Sequence, residues 1–212
     1  MTAPDLADAL AGLGSATLGE SGGRPMRARI RPAWPGASVA APATTVQCTP
    51  ADNLAIHVAV ANAAAGTVLV VNVGDERELG YWGEVLTTGA QARGIAGLVI
   101  DGCVRDIDAL QRLGFPVFST GIALPGASKK QPGRVGGLVR VGDVEVGQGD
   151  WLVADADGVT VVAAASVDTV LAAGNARAAK ESQLFTELKN GNTTIELLGL
   201  DPSVIEHGGT DD

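Results

Sequence analysis

Two continuous apolar runs, residues 67–73 and 97–101, constrain this chain more than any other feature. Each follows a helix-forming segment closed by a glycine, Gly66 and Gly94. A strand buried on both faces is apolar throughout, not alternately, and helices between such strands imply parallel βαβ units. Asp52 is placed to cap the first helix, over 53–65;. Leu79, Trp82, Leu86 and Ala90 are spaced for the second;. A short helix over 106–113 and a third strand over 116–119 continue the alternation. After residue 126 the texture changes to hairpins turning at Gly142-Asp143 and Asp157-Gly158;. A long helix from Ser166 to Lys189 then follows. At the other end, Thr2 or Asp5 caps a helix carrying Leu6, Leu10 and Leu13 and closed by Gly14;. Residues 15–36 read as irregular, and residues 38–48 as a strand interrupted by Pro42. Neither texture is set off by a linker, so residues 1–190 are expected as one domain and 191–212 as a C-terminal tail, with 208–212 mobile;.

Composition excludes several classes. Glycine supplies 29 of 212 residues, about double the usual roughly 7%, while Trp, Tyr and Phe together supply only seven;. The core must then be Ala, Val and Leu with closely approaching backbones. The net charge of −9 argues against a phosphate-backbone binder, which needs clustered Lys and Arg;. Cys48 and Cys103 form no CxxC, so neither a zinc site nor a disulfide is indicated;. The first thirteen residues carry two Asp and no basic run, unlike a signal peptide, and no stretch reaches about 18 apolar residues;. A soluble, cytoplasmic protein without nucleic-acid or membrane partners is expected.

The chemistry concentrates at two strand ends. Gly83-Glu84-Val85-Leu86 follows the strand at 67–73, and Arg105-Asp106 follows the strand at 97–101. In an open parallel sheet both segments lie outside the carboxyl ends of strands, where such sheets bind ligands. Free N–H groups of a helix starting near Gly83 attract a carboxylate, and Arg105 adds a bidentate grip. Asp106 is a hard oxygen ligand suited to Mg²⁺ or Mn²⁺, and Glu84 can take a proton or hold a water that does. Each residue also has a plainer reading. Arg beside Asp at a helix start can be a surface ion pair with an N-cap, Glu84 a solvated side chain, Asp52 a cap only, and His57 a packing residue. His207 lies in the tail and is given no function.

Together the runs Asp52-Asn53-Leu54-Ala55-Ile56-His57, Gly83-Glu84-Val85-Leu86, Asp101-Gly102-Cys103-Val104-Arg105-Asp106 and Asp155-Ala156-Asp157-Gly158-Val159 resemble one family. It comprises the metal-dependent 4-hydroxy-4-methyl-2-oxoglutarate aldolases and the regulators of ribonuclease E activity, and the likeness runs from about Leu6 to about Leu188. The family hallmark, an acidic residue, twenty residues and Arg-Asp, reads here as Glu84, 85–104 and Arg105-Asp106. The resemblance implies that Arg105 binds the pyruvyl substrate and that Asp106 binds the divalent metal. It also implies that the backbone of Gly83, Glu84, Val85 and Leu86 cradles the substrate carboxylate. The acidic position is usually Asp, so Glu84 is one methylene longer. Glu181 is the best match to a catalytic Glu that the family brings from a neighbouring subunit. The implied fold is a layered α/β/β sandwich of the swivelling-domain type with a mixed sheet and a long C-terminal helix. A homotrimer or hexamer is implied with it.

These expectations describe a class II lyase that releases pyruvate from 4-hydroxy-4-methyl-2-oxoglutarate or 4-carboxy-4-hydroxy-2-oxoadipate, with oxaloacetate decarboxylation as a side activity. A Schiff-base aldolase would need a desolvated lysine. Lys129 and Lys130 fall in a Gly/Pro-rich loop, and Lys180 and Lys189 on a polar helix face. The alternative is a non-catalytic regulator whose acidic surface binds and inhibits a ribonuclease. A methyl-donor site, another label carried by relatives, lacks a G-x-G-x-G loop after a strand.

Overall fold

The computed structural model describes residues 2–206; His207 and the expected mobile segment 208–212 lie outside the described residues. The chain divides into two compact units, Met1–Gly174 and Asn175–Asp212. The strands are β1 (Arg24–Pro25), β2 (Arg31–Pro32), β3 (Val39–Gln47), β4 (Val68–Asn72), β5 (Gly97–Asp101), β6 (Cys103–Val104), β7 (Val117–Ser119), β8 (Gly121–Ile122), β9 (Arg134–Val135), β10 (Val139–Val141), β11 (Val144–Val146), β12 (Trp151–Ala154) and β13 (Val159–Val162). The α-helices are α1 (Ala3–Gly19), α2 (Leu54–Asn62), α3 (Glu84–Ala92), α4 (Ile107–Leu113), α5 (Val167–Lys189) and α6 (Thr194–Leu198).

In the first unit a curled mixed sheet runs β1-β13-β12-β3-β4-β5-β7-β2, with β9 added beside β3. Its centre, β3-β4-β5-β7, is parallel, as the apolar runs required. Adjacent residues on these strands face opposite sides of the sheet. Leu69, Val71, Leu98, Ile100 and Val117 join the core that also contains Ile56, Val60, Leu86, Ala90 and Leu110 from α2, α3 and α4. Val68, Val70, Val99 and Phe118 join a second core with Val139, Val141, Val146 and Leu152. A third cluster sets Leu10 and Leu18 of α1 against Trp151, Val153 and Val162. Both faces of the sheet are therefore covered, in layers, and the mixed α/β architecture with a long C-terminal helix is present.

Several elements differ from the sequence reading. The first helix does not stop at Gly14. Gly14 takes φ 79, ψ 163, and the helix resumes as far as Gly19 because Asp155 caps the restart, accepting from Ser15 N at 2.7 Å and Ser15 Oγ at 2.6 Å. Pro42 does not interrupt β3. Residues 39–42 pair antiparallel with β12 and residues 43–47 parallel with β4, so the proline stands where the strand changes partner. Leu79 and Trp82 precede α3: the extended backbone of Gly83 starts the helix at Glu84, and Trp82 bridges to Val104. Residues 134–135 pair with β3, leaving the Gly142-Asp143 hairpin to β10 and β11. The helix expected over 53–65 is shorter, and short strands β1 and β2 lie in the segment read as irregular.

The second unit contains the later part of α5 and, within the expected tail, α6, which Thr193 opens with a reciprocal capping box to Glu196. No helix among the described residues is long and apolar enough to cross a membrane.

Candidate active site

Three backbone segments run side by side beyond the carboxyl ends of β4 and β5. The loop 77–82 pairs with 103–105 through Cys103 N to Arg77 O (2.8 Å), Tyr81 N to Cys103 O (3.1 Å) and Arg105 N to Trp82 O (2.9 Å). Segment 121–126 closes the other side, with Ala123 N on Val104 O and Gly80 N on Pro125 O. On this floor lies a cleft of about 160 Å³, lined by Asn53, His57, Gly80–Gly83, Val85, Leu86, Arg105, Asp106, Gly126, Ala127 and Lys129.

Arg105 lies on a bed of glycines. A Cβ at Gly80 would come 3.0 Å from its Cδ, one at Gly83 3.2 Å from its Cγ, and one at Gly126 3.4 Å from its Nη1. Among the described residues the only hydrogen bond of its guanidinium to backbone is a long one, Nη1 to Leu124 O at 3.4 Å, and Asp106 Oδ2 is 3.8 Å from Nε. Most of its donor fork therefore remains for a ligand. Asp106 adopts the left-handed conformation, φ 60, ψ 38, immediately before α4. Asp tolerates this region better than most residues, and such strain concentrates at functional sites. Its Oδ2 accepts the Glu84 N–H at 3.0 Å, tying the start of α3 to the start of α4. The next amides of α3, Val85 and Leu86, have no intrahelical acceptor at a helix start and lie in the cleft wall;. Trp82 supports this turn from below: its Nε1 donates to Thr87 Oγ1 at 2.6 Å and its ring stacks on Phe115, centroids 5.8 Å apart.

The structure thus brings Gly83, Val85, Leu86, Arg105 and Asp106 to one cleft. Glu84 contributes its backbone there, while its carboxylate, half-exposed, pairs with Arg112 Nη2 at 3.4 Å. Glu181 belongs to the second unit, where its Oε1 takes Arg177 Nε at 2.8 Å in an i,i+4 pair.

The opposite wall was not expected to be functional. Asn53 is buried; its Nδ2 donates to Tyr81 O at 2.8 Å, and its Oδ1 has no partner among the described residues. One helical turn on, His57 Nε2 is also buried, with no partner among the described residues. Burial, with the Lys129 ammonium nearby, holds the imidazole below its ordinary pKa against the opposing pull of Asp52, so it is neutral at pH 7. The i,i+4 spacing of Asn53 and His57 was the available signal, because it puts both on one helix face. Lys129, whose Nζ donates to Ala127 O at 3.3 Å, carried no signal in its loop. Asp52, expected at the cap of α2, stands one residue before the N-cap Asn53. Burial disfavours its charge, but the amides of Lys130 (2.6 Å), Leu54 (2.8 Å) and Gln131 (3.0 Å) hold its carboxyl down at about 2 and fasten the Lys129 loop to α2. Burial pushes the Cys48 thiol up to about 12, which removes it as a nucleophile;.

Among the described residues no group of three or more His, Cys, Asp or Glu side chains converges on one point. A magnesium-type ion does not require one, since it commonly uses one or two carboxylates with waters and ligand oxygens. Asp106 suits that role: Oδ2 is oriented by the Glu84 amide while the carboxylate faces the cleft. The donor set fits a hard divalent cation.

A cleft at the carboxyl ends of parallel strands, floored by glycines and lined by a guanidinium, helix-start amides and a carboxylate, has the chemistry to receive a small anion;. The chain belongs to the RraA-like family: the family model described as Aldolase/RraA matches residues 3–161. It is 36% identical, over 67% of its length and 68% of the relative's, to a Halalkalibacterium halodurans protein whose name carries 4-hydroxy-4-methyl-2-oxoglutarate aldolase as an inferred activity. Its fold matches an uncharacterized protein of Pseudomonas syringae pv. tomato with TM-score 0.79 at 27% identity, covering 91% and 92% of the two chains. Streptomyces coelicolor RraAS2, titled an unusual member of the RNase ES inhibitor RraA family, matches with TM-score 0.73 at 27% identity over 87% and 98%.

Proposed function

We propose that this chain is a divalent-metal-dependent aldolase that cleaves a 4-hydroxy-2-oxo dicarboxylic acid to pyruvate. The observation that carries the reading is the convergence of Arg105, the free amides of α3 and the Asp106 carboxylate on one small cleft. The carboxylate next to the oxo group docks on the Val85 and Leu86 amides and the Arg105 fork, a planar-to-planar match that a point charge does not reproduce. Lys129, across the cleft, supplies the charge for a second carboxylate, which favours a diacid over a neutral substrate. Asp106 would hold Mg²⁺ or Mn²⁺, which supplies Lewis acidity toward the oxo group when bound. His57, which lines the cleft and is held neutral, takes the C4 hydroxyl proton as the C3–C4 bond breaks and returns a proton to C3 to complete pyruvate;. The half-exposed Glu84 carboxylate, engaged by Arg112, is left a supporting part through its backbone. Oxaloacetate decarboxylation, which builds the same negative charge on the oxo oxygen, is expected as a second activity. Glu181 from a second copy, within a trimer or hexamer, remains part of the proposal.

A lactate dehydrogenase-coupled assay with a panel of 4-hydroxy-2-oxo acids and oxaloacetate tests it. Pyruvate should appear with Mg²⁺ and stop with EDTA. Arg105→Lys should raise KM and lower kcat, together about 100-fold in kcat/KM. Full activity in EDTA, or borohydride trapping of pyruvate on a lysine, refutes the metal-dependent reading. Relatives titled as ribonuclease inhibitors favour a second reading, a regulator. Saturable binding to a ribonuclease scaffold with no pyruvate release from any substrate would establish it instead.

A further inference from the structure

We propose that Arg77 is a positioning residue for this cleft: through Asp101 it sets the register of the loop that carries Gly80–Gly83. The inference rests on the aldolase reading for its kinetic arm only. The connection from β4 to α3, residues 73–83, contains no helix or strand of its own. Arg77 meets the chain twice, at the end of β5 and at the start of β6. Its carbonyl accepts from Cys103 N at 2.8 Å, and its Nε lies 3.2 Å from Asp101 Oδ1. The loop then leaves this segment over 78–80 and returns to it, Tyr81 N bonding Cys103 O at 3.1 Å and Trp82 O taking Arg105 N at 2.9 Å, one residue before Gly83. Arg77 is therefore the first of three contacts between the loop and 103–105, and the last of them sets Arg105 beside the start of α3. A slip at the first contact shifts the amides that receive the carboxylate relative to the guanidinium that shares it.

Asp101 is built as a fixed post. Its side chain is 5% exposed and accepts from Arg29 Nε (3.0 Å), Arg29 Nη2 (2.8 Å) and Gly142 N (3.0 Å). Arg29 is itself held by Asp143 through Nη1 (3.2 Å) and Nη2 (3.0 Å). These bonds satisfy the buried carboxylate without Arg77, so removing Arg77 releases the loop and leaves no orphaned charge inside the fold. That separation makes the role testable.

The experiment compares wild type, Arg77→Ala, Arg77→Lys and Arg27→Ala. Arg27 touches the same cluster at Asp143 (3.3 Å) but lies outside the loop. Two readouts are taken: hydrogen exchange at the amides of Tyr81, Cys103 and Arg105, and steady-state pyruvate formation. Arg77→Ala should speed exchange at the three amides at least about tenfold, leave Val70 in β4 unchanged, and raise KM about tenfold with kcat altered less than threefold. A merely structural defect would lower kcat through the active fraction and leave KM alone. Arg77→Lys, which keeps a charge for Asp101, should recover most of both effects, and Arg27→Ala should match wild type. Unchanged exchange and unchanged KM in Arg77→Ala overturn the proposal. If wild type forms no pyruvate, the aldolase reading fails, and the exchange arm alone decides whether Arg77 sets the loop.

Discussion

Replacing Gly83 by alanine tests the site through a single added methyl group. Gly83 has φ −168, extended backbone open to any residue, so the substitution carries no conformational strain. The obstacle is contact: the new Cβ would lie 2.3 Å from Asp106 Oδ2 and 3.2 Å from Arg105 Cγ. Retreat of the carboxylate to even 3.0 Å is a displacement of about 0.7 Å, and it breaks the 3.0 Å bond from Glu84 N. A hydrogen bond to a charged acceptor contributes about 1.5–3 kcal/mol when buried. Asp106 is 41% exposed, so a loss near 1 kcal/mol is expected, about 2–4 °C in Tm;. The effect on chemistry should be larger. A misplacement approaching 1 Å costs about 100-fold, which at 1.36 kcal/mol per decade is about 2.7 kcal/mol of barrier. The coupled pyruvate assay should then show kcat/KM down 30- to 100-fold, roughly, with a nearly normal melt. Gly12→Ala is the control: it sits in α1 with no atom within 4 Å of its Cβ position and should leave activity unchanged. A Gly83→Ala enzyme within about threefold of wild type and equally stable would refute the placement of Asp106 against the start of α3.

Three further changes follow from the same geometry. Asp106→Asn keeps a residue suited to the left-handed conformation but removes the charge, so it should fold normally by circular dichroism and lose Mg²⁺-dependent turnover;. Tyr81→Phe deletes a buried hydroxyl that donates to Glu76 O and accepts from Ala51 N at 3.0 Å; chemical denaturation should show a loss of about 1–2 kcal/mol;. Asp52→Asn reports on acid stability. The folded carboxyl at about 2 lies below its unfolded value of 3.8, so its contribution is full above the unfolded value and is lost as pH falls toward 2;. The stability gap between wild type and Asp52→Asn should be present at pH 7 and narrow steadily from about pH 4 to pH 2; a gap independent of pH would contradict the amide cradle.

The centre of the sheet was legible because strands buried on both faces leave an apolar run, as at 68–71 and 97–100. Its margins were not. β1, β2 and β9 are two residues each, and their places are set by partners far along the chain, Val161, Phe118 and Val46 among them. Trp82 had helical spacing to Leu86 yet is extended, because its indole is needed beneath α3 and Gly83 breaks the backbone there. In the cleft, Gly83, Arg105 and Asp106 could be read from their positions after two parallel strands. Lys129 could not, since Asp52 draws its loop in across almost eighty residues of sequence. The turn of the Glu84 carboxylate to Arg112 depends on α4 lying beside α3, which no local pattern records.

The divided pairing of β3 also bears on how the chain is made. Residues 43–47 find β4 soon after synthesis, whereas Pro42 pairs with Trp151, 109 positions later. At about 5–20 residues per second the first half of β3 waits on the order of ten seconds for its partner while the parallel centre forms beside it. Through that interval it is an exposed strand edge, the kind of template on which nascent chains join one another. A proline at the end of the waiting stretch offers a passing strand no amide hydrogen and makes it a poor template. The proline that looked like a flaw in the strand would then serve it before β12 is made;.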